Sequence, residues 1–244
     1  MGQVAAYISG KGGTGKTTLC AAVAGSLSKL GKTVLCIDLD VGLRNLDISL
    51  GMRDEATVSF LDVMEARCAL DDAPQHPLLP GLHLLTAPVI GQNERIDEDG
   101  FFELLRQARE RFDWVFLDAP AGIGDFFRLA VRRATHSVVV TQADPACLRD
   151  AQRAGVLAKQ YGPLWARVVV NRVNPRIYNR LRTNVDDIMD TVGLPLLGLV
   201  PEHVDVLLSA AWGVPLCNAD CPPAAACRNI ARRLEGEAVP LMLR

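Results

Sequence analysis

An apolar run from Val4 to Ser9 feeds directly into Gly10-Lys-Gly-Gly-Thr-Gly-Lys-Thr-Thr18, and a helical pattern follows from Lys16 to Leu30. Strand, glycine loop and helix in that order leave the chain few ways to fold. Gly10, Gly12, Gly13 and Gly15 let the backbone curl, so that successive N–H groups and the helix N-terminus face one point and make an anion site. Gly10-x4-Gly15-Lys16-Thr17 is the phosphate-loop pattern in its required strand-to-helix setting. Residues 10 to 18, including the backbone of Thr14, are therefore the expected nucleotide-binding segment. Lys16 supplies a point charge for β- and γ-phosphates, and the Thr17 hydroxyl is a natural Mg²⁺ ligand with Thr18 close behind. Lys11 is a second lysine that such a loop does not need. Judged on residue type alone, it is a hydrated surface side chain.

Downstream, short apolar runs alternate with longer helical patterns. Strands are expected at Val4 to Ser9, Thr33 to Ile37, Leu82 to Thr86, Trp114 to Leu117, Ser137 to Thr141, Ala166 to Val170 and Leu196 to Val200. Their hydrophobicity is near-continuous rather than alternating, as in strands covered on both faces. Helices are expected at Lys16 to Leu30, Val58 to Ala66, Glu98 to Arg111, Cys147 to Gln160 and Asn179 to Asp190. The implied architecture is α/β, a mostly parallel central sheet covered by helices on both faces. One domain spanning 1–244 is expected, with 216–244 a C-terminal helix and tail. Ligands of such sheets bind beyond the strand C-terminal ends. There the sequence places Asp118, closing the strand WVFLD, and Asp38 and Asp40 of CIDLD. Asp118 has the position of a metal-shell carboxylate, and strand alternation would put Asp38 and Asp40 on one side, suited to metal-shell and water-orienting roles.

Other function classes find little support. With 26 basic against 28 acidic residues and a net charge of −2, a chain-wide surface for nucleic acid is excluded, and specific nucleic-acid binding is not expected. The four histidines are scattered singly, so no Ser-His-Asp or zinc-hydrolase reading arises. Cys217-x3-Cys221-x5-Cys227 lacks C-x2-C spacing and has no histidine close by in sequence, so these are read as ordinary loop cysteines. The seven cysteines suit a reduced, cytoplasmic protein. VAAYIS is too short for a signal-peptide core, and no apolar run approaches a membrane span. Arg128, Arg132 and Arg133 read first as the solvated face of a helix.

KGGTGKTT is similar to the deviant Walker A loop, KGGxGK(S/T), of the MinD/ParA family of P-loop ATPases. Asp38-Leu-Asp-Val-Gly-Leu-Arg-Asn-Leu-Asp-Ile-Ser-Leu-Gly51 resembles switch I of that family's MinD branch, and Asp118-Ala-Pro-Ala-Gly-Ile123 its switch II. Asn171-Arg-Val-Asn-Pro175 and Val200-Pro-Glu202 resemble the later segments around the base. The resemblance runs in order from about residue 3 to about 215. It implies a three-layer P-loop NTPase fold, ATP/ADP and Mg²⁺ as ligands, and slow hydrolysis in a homodimer formed on ATP binding. Lys11 would reach the partner's phosphates, Asp40 would orient the water, and Thr17, Asp38 and Asp118 would surround the Mg²⁺. Asn171 would bond the adenine edge, with Pro201 and Glu202 lining the base pocket. The implied role is placement of the division septum, with a MinC-like inhibitor and a MinE-like activator as partners. The alternative is a ParA-like ATPase that positions DNA or other cargo by non-specific DNA binding. Two departures stand out. Gly124-Asp125 replaces the branch's switch-II glutamate, and RNIARRLEGEAVPLMLR, interrupted by Gly236 and Pro240, lacks the lysine-rich amphipathic ending that brings MinD to the inner face of the membrane.

Overall fold

Near-continuous apolar strands need cover on both faces, and the computed structural model, which describes residues 1–55, 57–88, 96–163, 165–174 and 184–241, supplies it. The strands are β1 (Gln3–Ile8), β2 (Val34–Asp38), β3 (Leu82–Leu85), β4 (Trp114–Asp118), β5 (His136–Thr141), β6 (Ala166–Val173) and β7 (Leu196–Pro201). They form one sheet in the order β3-β2-β4-β1-β5-β6-β7. Every neighbouring pair is parallel, so the expected mostly parallel sheet is wholly parallel among the described strands. The helices are α1 (Lys16–Lys29), α2 (Leu46–Leu50), α3 (Phe60–Met64), α4 (Glu98–Arg111), α5 (Asp125–Arg132), α6 (Pro145–Tyr161), α7 (Val185–Val192), α8 (Val204–Trp212) and α9 (Pro222–Leu234).

Alternation along each strand divides the core in two. Val4, Ala6 and Ile8 pack with Phe101 of α4, Phe127 of α5, Leu148 of α6 and Ile188 of α7. Ala5 and Tyr7 face the other layer, with Leu19 and Leu27 of α1 and Ile230 of α9. Both layers carry fully buried aromatics, each worth up to about 3 kcal/mol of apolar burial. Phe60 meets Phe101 edge-on at 6.0 Å, and Tyr7 tilts against Phe116 at 5.0 Å.

Several expected boundaries move. The helix at 58–66 shrinks to α3, started by a capping box in which the Ser59 hydroxyl accepts from the Asp62 N–H. α6 begins two residues early because Asp144 caps it and Pro145 is pre-organised for the first turn. Of the helix expected at Asn179 to Asp190, residues 179–183 lie outside the described residues; the described part begins with α7 behind an Asn184 cap. α2 and α8 were not expected. The C-terminal helix appears as α9, whose Cys227, Ile230, Ala231 and Leu234 are spent on the core. Arg233 then donates to the carbonyls of Val239 (3.0 Å) and Pro240 (2.8 Å), folding the described tail back onto the body; Met242 to Arg244 lie outside the described residues. No described helix is long and apolar enough to cross a membrane.

At the sheet edge opposite the strand C-termini, His136 opens β5 between Trp165, 4.2 Å away, and Trp114, 5.2 Å away. Burial in this aromatic slot lowers its pKa to about 4, with Arg167 adding repulsion. The folded state therefore refuses a proton that the unfolded chain takes up near pH 6.5, so the stability contributed by neutral His136 is present above pH 6.5 and lost as pH falls toward 4. After discounting for the solvated part of the ring, urea titrations should show about 1–2 kcal/mol less stability at pH 4.5 than at pH 7 from this residue. His136→Phe should remove that part of the pH dependence; an unchanged pH slope would refute the assignment.

Candidate nucleotide site

Three neighbouring strands end together. The register aligns Tyr7 of β1 with Asp118 of β4, and Asp38 of β2 with the same Asp118. The ladder continues one step past the strands, where Leu39 N–H donates to the Asp118 carbonyl (3.0 Å) and Ala119 N–H to that of Tyr7 (3.1 Å). Parallel pairing thus delivers Asp38 and Asp118 side by side at the root of the loop leaving β1.

That loop is held from three directions. Gly15 sits in the left-handed region at φ +88°, and a Cβ there would stand 2.2 Å from Asn171 Nδ2, so only glycine fits. Asn171, buried in β6, donates from Nδ2 to the Thr14 carbonyl at 2.8 Å. Gln142, at the end of β5, donates to the Gly13 carbonyl at 3.0 Å. On the other flank Gly10 lies so close to the Asp150 carbonyl of α6 that a Cβ would be 2.3 Å from it.

Lys16 points inward. Its Nζ meets Asp118 Oδ1 at 2.5 Å, with the side chains 7% and 1% exposed. Burial pushes the Asp118 carboxyl above its usual range, and Lys16 with the Thr17 hydroxyl pulls it part of the way back. Asp118 Oδ2 and the Thr14 hydroxyl are buried with no hydrogen-bond partner among the described residues. Buried polar atoms without partners are costly, and these two beside a curled glycine loop fit a hydrated cation and a phosphate. Asp38 is turned into its own loop: Oδ1 accepts from the Asp40 N–H (2.9 Å) and Oδ2 from the Leu46 N–H (3.1 Å). Burial and the neighbouring Asp118 raise its pKa to about 7, against those two bonds. Because β2 ends at Asp38, strand alternation stops governing Asp40, which sits half-exposed in the turn.

Lys11 points outward. It is exposed and makes no ion pair among the described residues. Asp144 is held below the usual carboxylate range chiefly by the thiol and N–H of Cys147, with the nearby Lys11 charge adding to the effect. Farther along the edge Pro201 closes β7, and Glu202 is exposed, with Asn174 Nδ2 donating to its Oε2 at 3.4 Å; Pro175 of the same segment lies outside the described residues. Gly122, at φ +96°, ties switch II to β1 by donating to the Ser9 carbonyl at 2.9 Å. The basic cluster beyond it is structurally engaged. Arg128 pairs with Asp125, Arg132 with Glu98, and Arg133 lies 4.5 Å over the Phe102 ring. Gln142 and Asp144 were not expected at the site; their position just past an apolar strand, on the edge already marked by Asp118, was the available signal.

The family model of the CobQ/CobB/MinD/ParA nucleotide-binding domain matches residues 5–216. A septum site-determining protein MinD from Synechocystis sp. is 36% identical over 248 residues, covering 99% of this chain and 92% of that one. MinD from Aquifex aeolicus, solved as a MinC:MinD complex, superposes with a TM-score of 0.90 at 33% identity and covers 98% of each chain. MinD from Pyrococcus horikoshii, solved with Mg-ADP, gives 0.83 at 25% identity over 96% of each chain. The chain belongs to the MinD/ParA family of P-loop ATPases and, within it, is a MinD-like division ATPase.

Proposed function

We propose that this ATPase is a nucleotide-gated homodimer switch in septum placement, in which the two lysines of the loop serve two different nucleotides. The observation that carries this reading is their opposite disposition: Lys16 is buried and paired to Asp118, while Lys11, five residues earlier, is exposed on the rim without an ion pair among the described residues. A cation that meets phosphate only when a second copy arrives makes assembly and nucleotide state depend on each other.

Within one subunit, Gly10, Gly12, Gly13, Thr14 and Gly15 present backbone N–H groups to the phosphates, and Lys16 exchanges Asp118 for the β- and γ-phosphate oxygens. Thr17 and the freed Asp118 carboxylate hold the Mg²⁺ side, Thr18 backs them, and Asp38 orders the outer water while shaping the turn that presents Asp40. Asp40 orients the attacking water. Magnesium, when bound, neutralises charge on the transferred phosphoryl group. Asn171, whose Nδ2 is committed to Thr14, offers its Oδ1 to the base, with Pro201 and Glu202 as the pocket wall. The likeness to a MinD solved with MinC supports a MinC-like partner, and we extend the proposal to a MinE-like activator. Because α9 spends its apolar face on the core, we place the output at protein–protein contacts rather than at lipid insertion of that helix.

Lys11→Ala should leave ATP binding by the monomer within about threefold, abolish the ATP-dependent dimer in sedimentation velocity, and cut phosphate release by about 10³-fold, as loss of a trans cation does. Normal dimerisation and turnover would remove the assignment. Asp40→Ala should still dimerise on ATP while hydrolysing about 10²-fold more slowly, the scale of a lost water-orienting group; loss of the dimer instead would move Asp40 to assembly. Asp118→Ala strands the Lys16 charge in the core, and chemical denaturation without nucleotide should show a loss of about 3–5 kcal/mol.

A further inference from the structure

Three of the seven cysteines fall within eleven residues, at 217, 221 and 227, without knuckle spacing. The fold gathers all three into one buried cluster and brings to it what the spacing lacked. Cys217 packs against Gly25 of α1, and Cys227 is fully buried in α9. Cys221, 5% exposed at the start of α9, belongs to the same cluster; its thiol is in no disulfide and caps no backbone N–H. Facing it are His203 and Asp205, which begin α8 eighteen and sixteen residues earlier in the chain. One ligand atom from each of the three lies within 4.8 Å of the others.

From this convergence we infer that His203, Asp205 and Cys221 form a site for a soft divalent cation of the zinc class, adjoining Glu202 in sequence but sharing no residue with the nucleotide site. Imidazole, carboxylate and thiolate together select zinc or cobalt over magnesium, which prefers an all-oxygen shell. The charges balance: one thiolate and one carboxylate neutralise a divalent ion, and the imidazole adds a neutral donor. Bond lengths of about 2.0–2.3 Å in tetrahedral geometry put ligand atoms roughly 3.5 Å apart. Each side chain therefore needs to move by only about 1 Å, within the reach of a χ adjustment. His203 and Asp205 are each 36% exposed at the side chain, so the ion has an entry path and a fourth position open to water. Pro222 follows Cys221 directly and favours its extended backbone, φ −144° and ψ 160°. Occupancy would clip the start of α8 to the start of α9 across the connection at 213–221. The site needs nothing from the nucleotide, so its failure would leave the ATPase reading untouched.

The test uses the full chain, reduced, stripped by chelator and free of nucleotide. Cobalt(II) titration should saturate at one ion per chain, with a thiolate-to-cobalt charge-transfer band and tetrahedral d–d bands. Millimolar Mg²⁺ should leave these bands unchanged, and stoichiometric Zn²⁺ should bleach them. Zn²⁺ alone should raise Tm. Cys221→Ser puts a favoured residue at the helix N-cap and should remove the charge-transfer band. His203→Gln and Asp205→Asn, at half-open positions that tolerate change, should each weaken binding tenfold or more and abolish the zinc-induced rise in Tm. Absence of saturable cobalt binding would overturn the inference. So would a thiolate band that survives Cys221→Ser but vanishes in Cys217→Ser.

Discussion

The pairing of Lys16 with Asp118 in the middle of an apolar sheet edge is the interaction around which the rest is organised. Two charges only 7% and 1% exposed lose most of their hydration, and the Coulombic gain at 2.5 Å does no more than offset that loss. An apolar pair of similar volume would serve stability at least as well and would leave no orphan, whereas here Asp118 Oδ2 stays buried without a partner. On the proposed function, the pair is a charge held ready for exchange. The β1–β4 register that aligns Tyr7 with Asp118 brings the base of the loop to the carboxylate, so sheet geometry and site geometry are one constraint.

The same edge holds two costly backbone conformations. Among the described residues, left-handed non-glycine residues occur at Arg44, Ala66 and Arg172. Arg44 lies in the turn that Asp38 holds, and Arg172 follows Asn171 where the β6–β7 register shifts. Such conformations cost of order 1–3 kcal/mol each and persist where surrounding bonds over-determine them. Here those bonds are the two N–H donors to Asp38 and the Asn171–Thr14 link. The loop leaving β1, the central strand, is thereby tied to β6, two strands away in the sheet.

The parallel sheet was legible because strands buried on both faces write themselves as unbroken apolar runs; all seven appear where those runs lie, with ends shifted by a few residues. Helices were less legible in proportion to how far they depart from a one-sided pattern. α8, VDVLLSAAW, exposes Val204, Leu207 and Trp212 while burying Ser209, so its apolar residues trace no single stripe. α2 is only five residues long and owes its start to the Asp38 carboxylate taking the Leu46 N–H, a tertiary bond with no local signature. At the site, the residues named by motif could be placed from sequence, but Gln142 reaches Gly13 across 129 residues, and nothing local announces that. His203 and Cys221 were hidden for the opposite reason: sequence spacing counted against them, and the reversal of the chain between α8 and α9 cancelled the spacing.

The two lysines differ in burial rather than in residue type, and the proposed division of labour between them rests on that difference. Lys16 cannot be lost cheaply, because its removal leaves a carboxylate uncompensated inside the core. Lys11 is hydrated, makes no ion pair among the described residues, and has Asp144 near it at the head of α6. Its removal costs the folded monomer little. A loop that placed both charges inward would face two like charges competing for a single buried Asp118. A loop with both outward would leave Asp118 stranded. Opposite orientation within one short glycine segment resolves the conflict, and it is Gly13 and Gly15 between them, at φ +78° and +88°, that make so sharp a reversal of side-chain direction sterically possible.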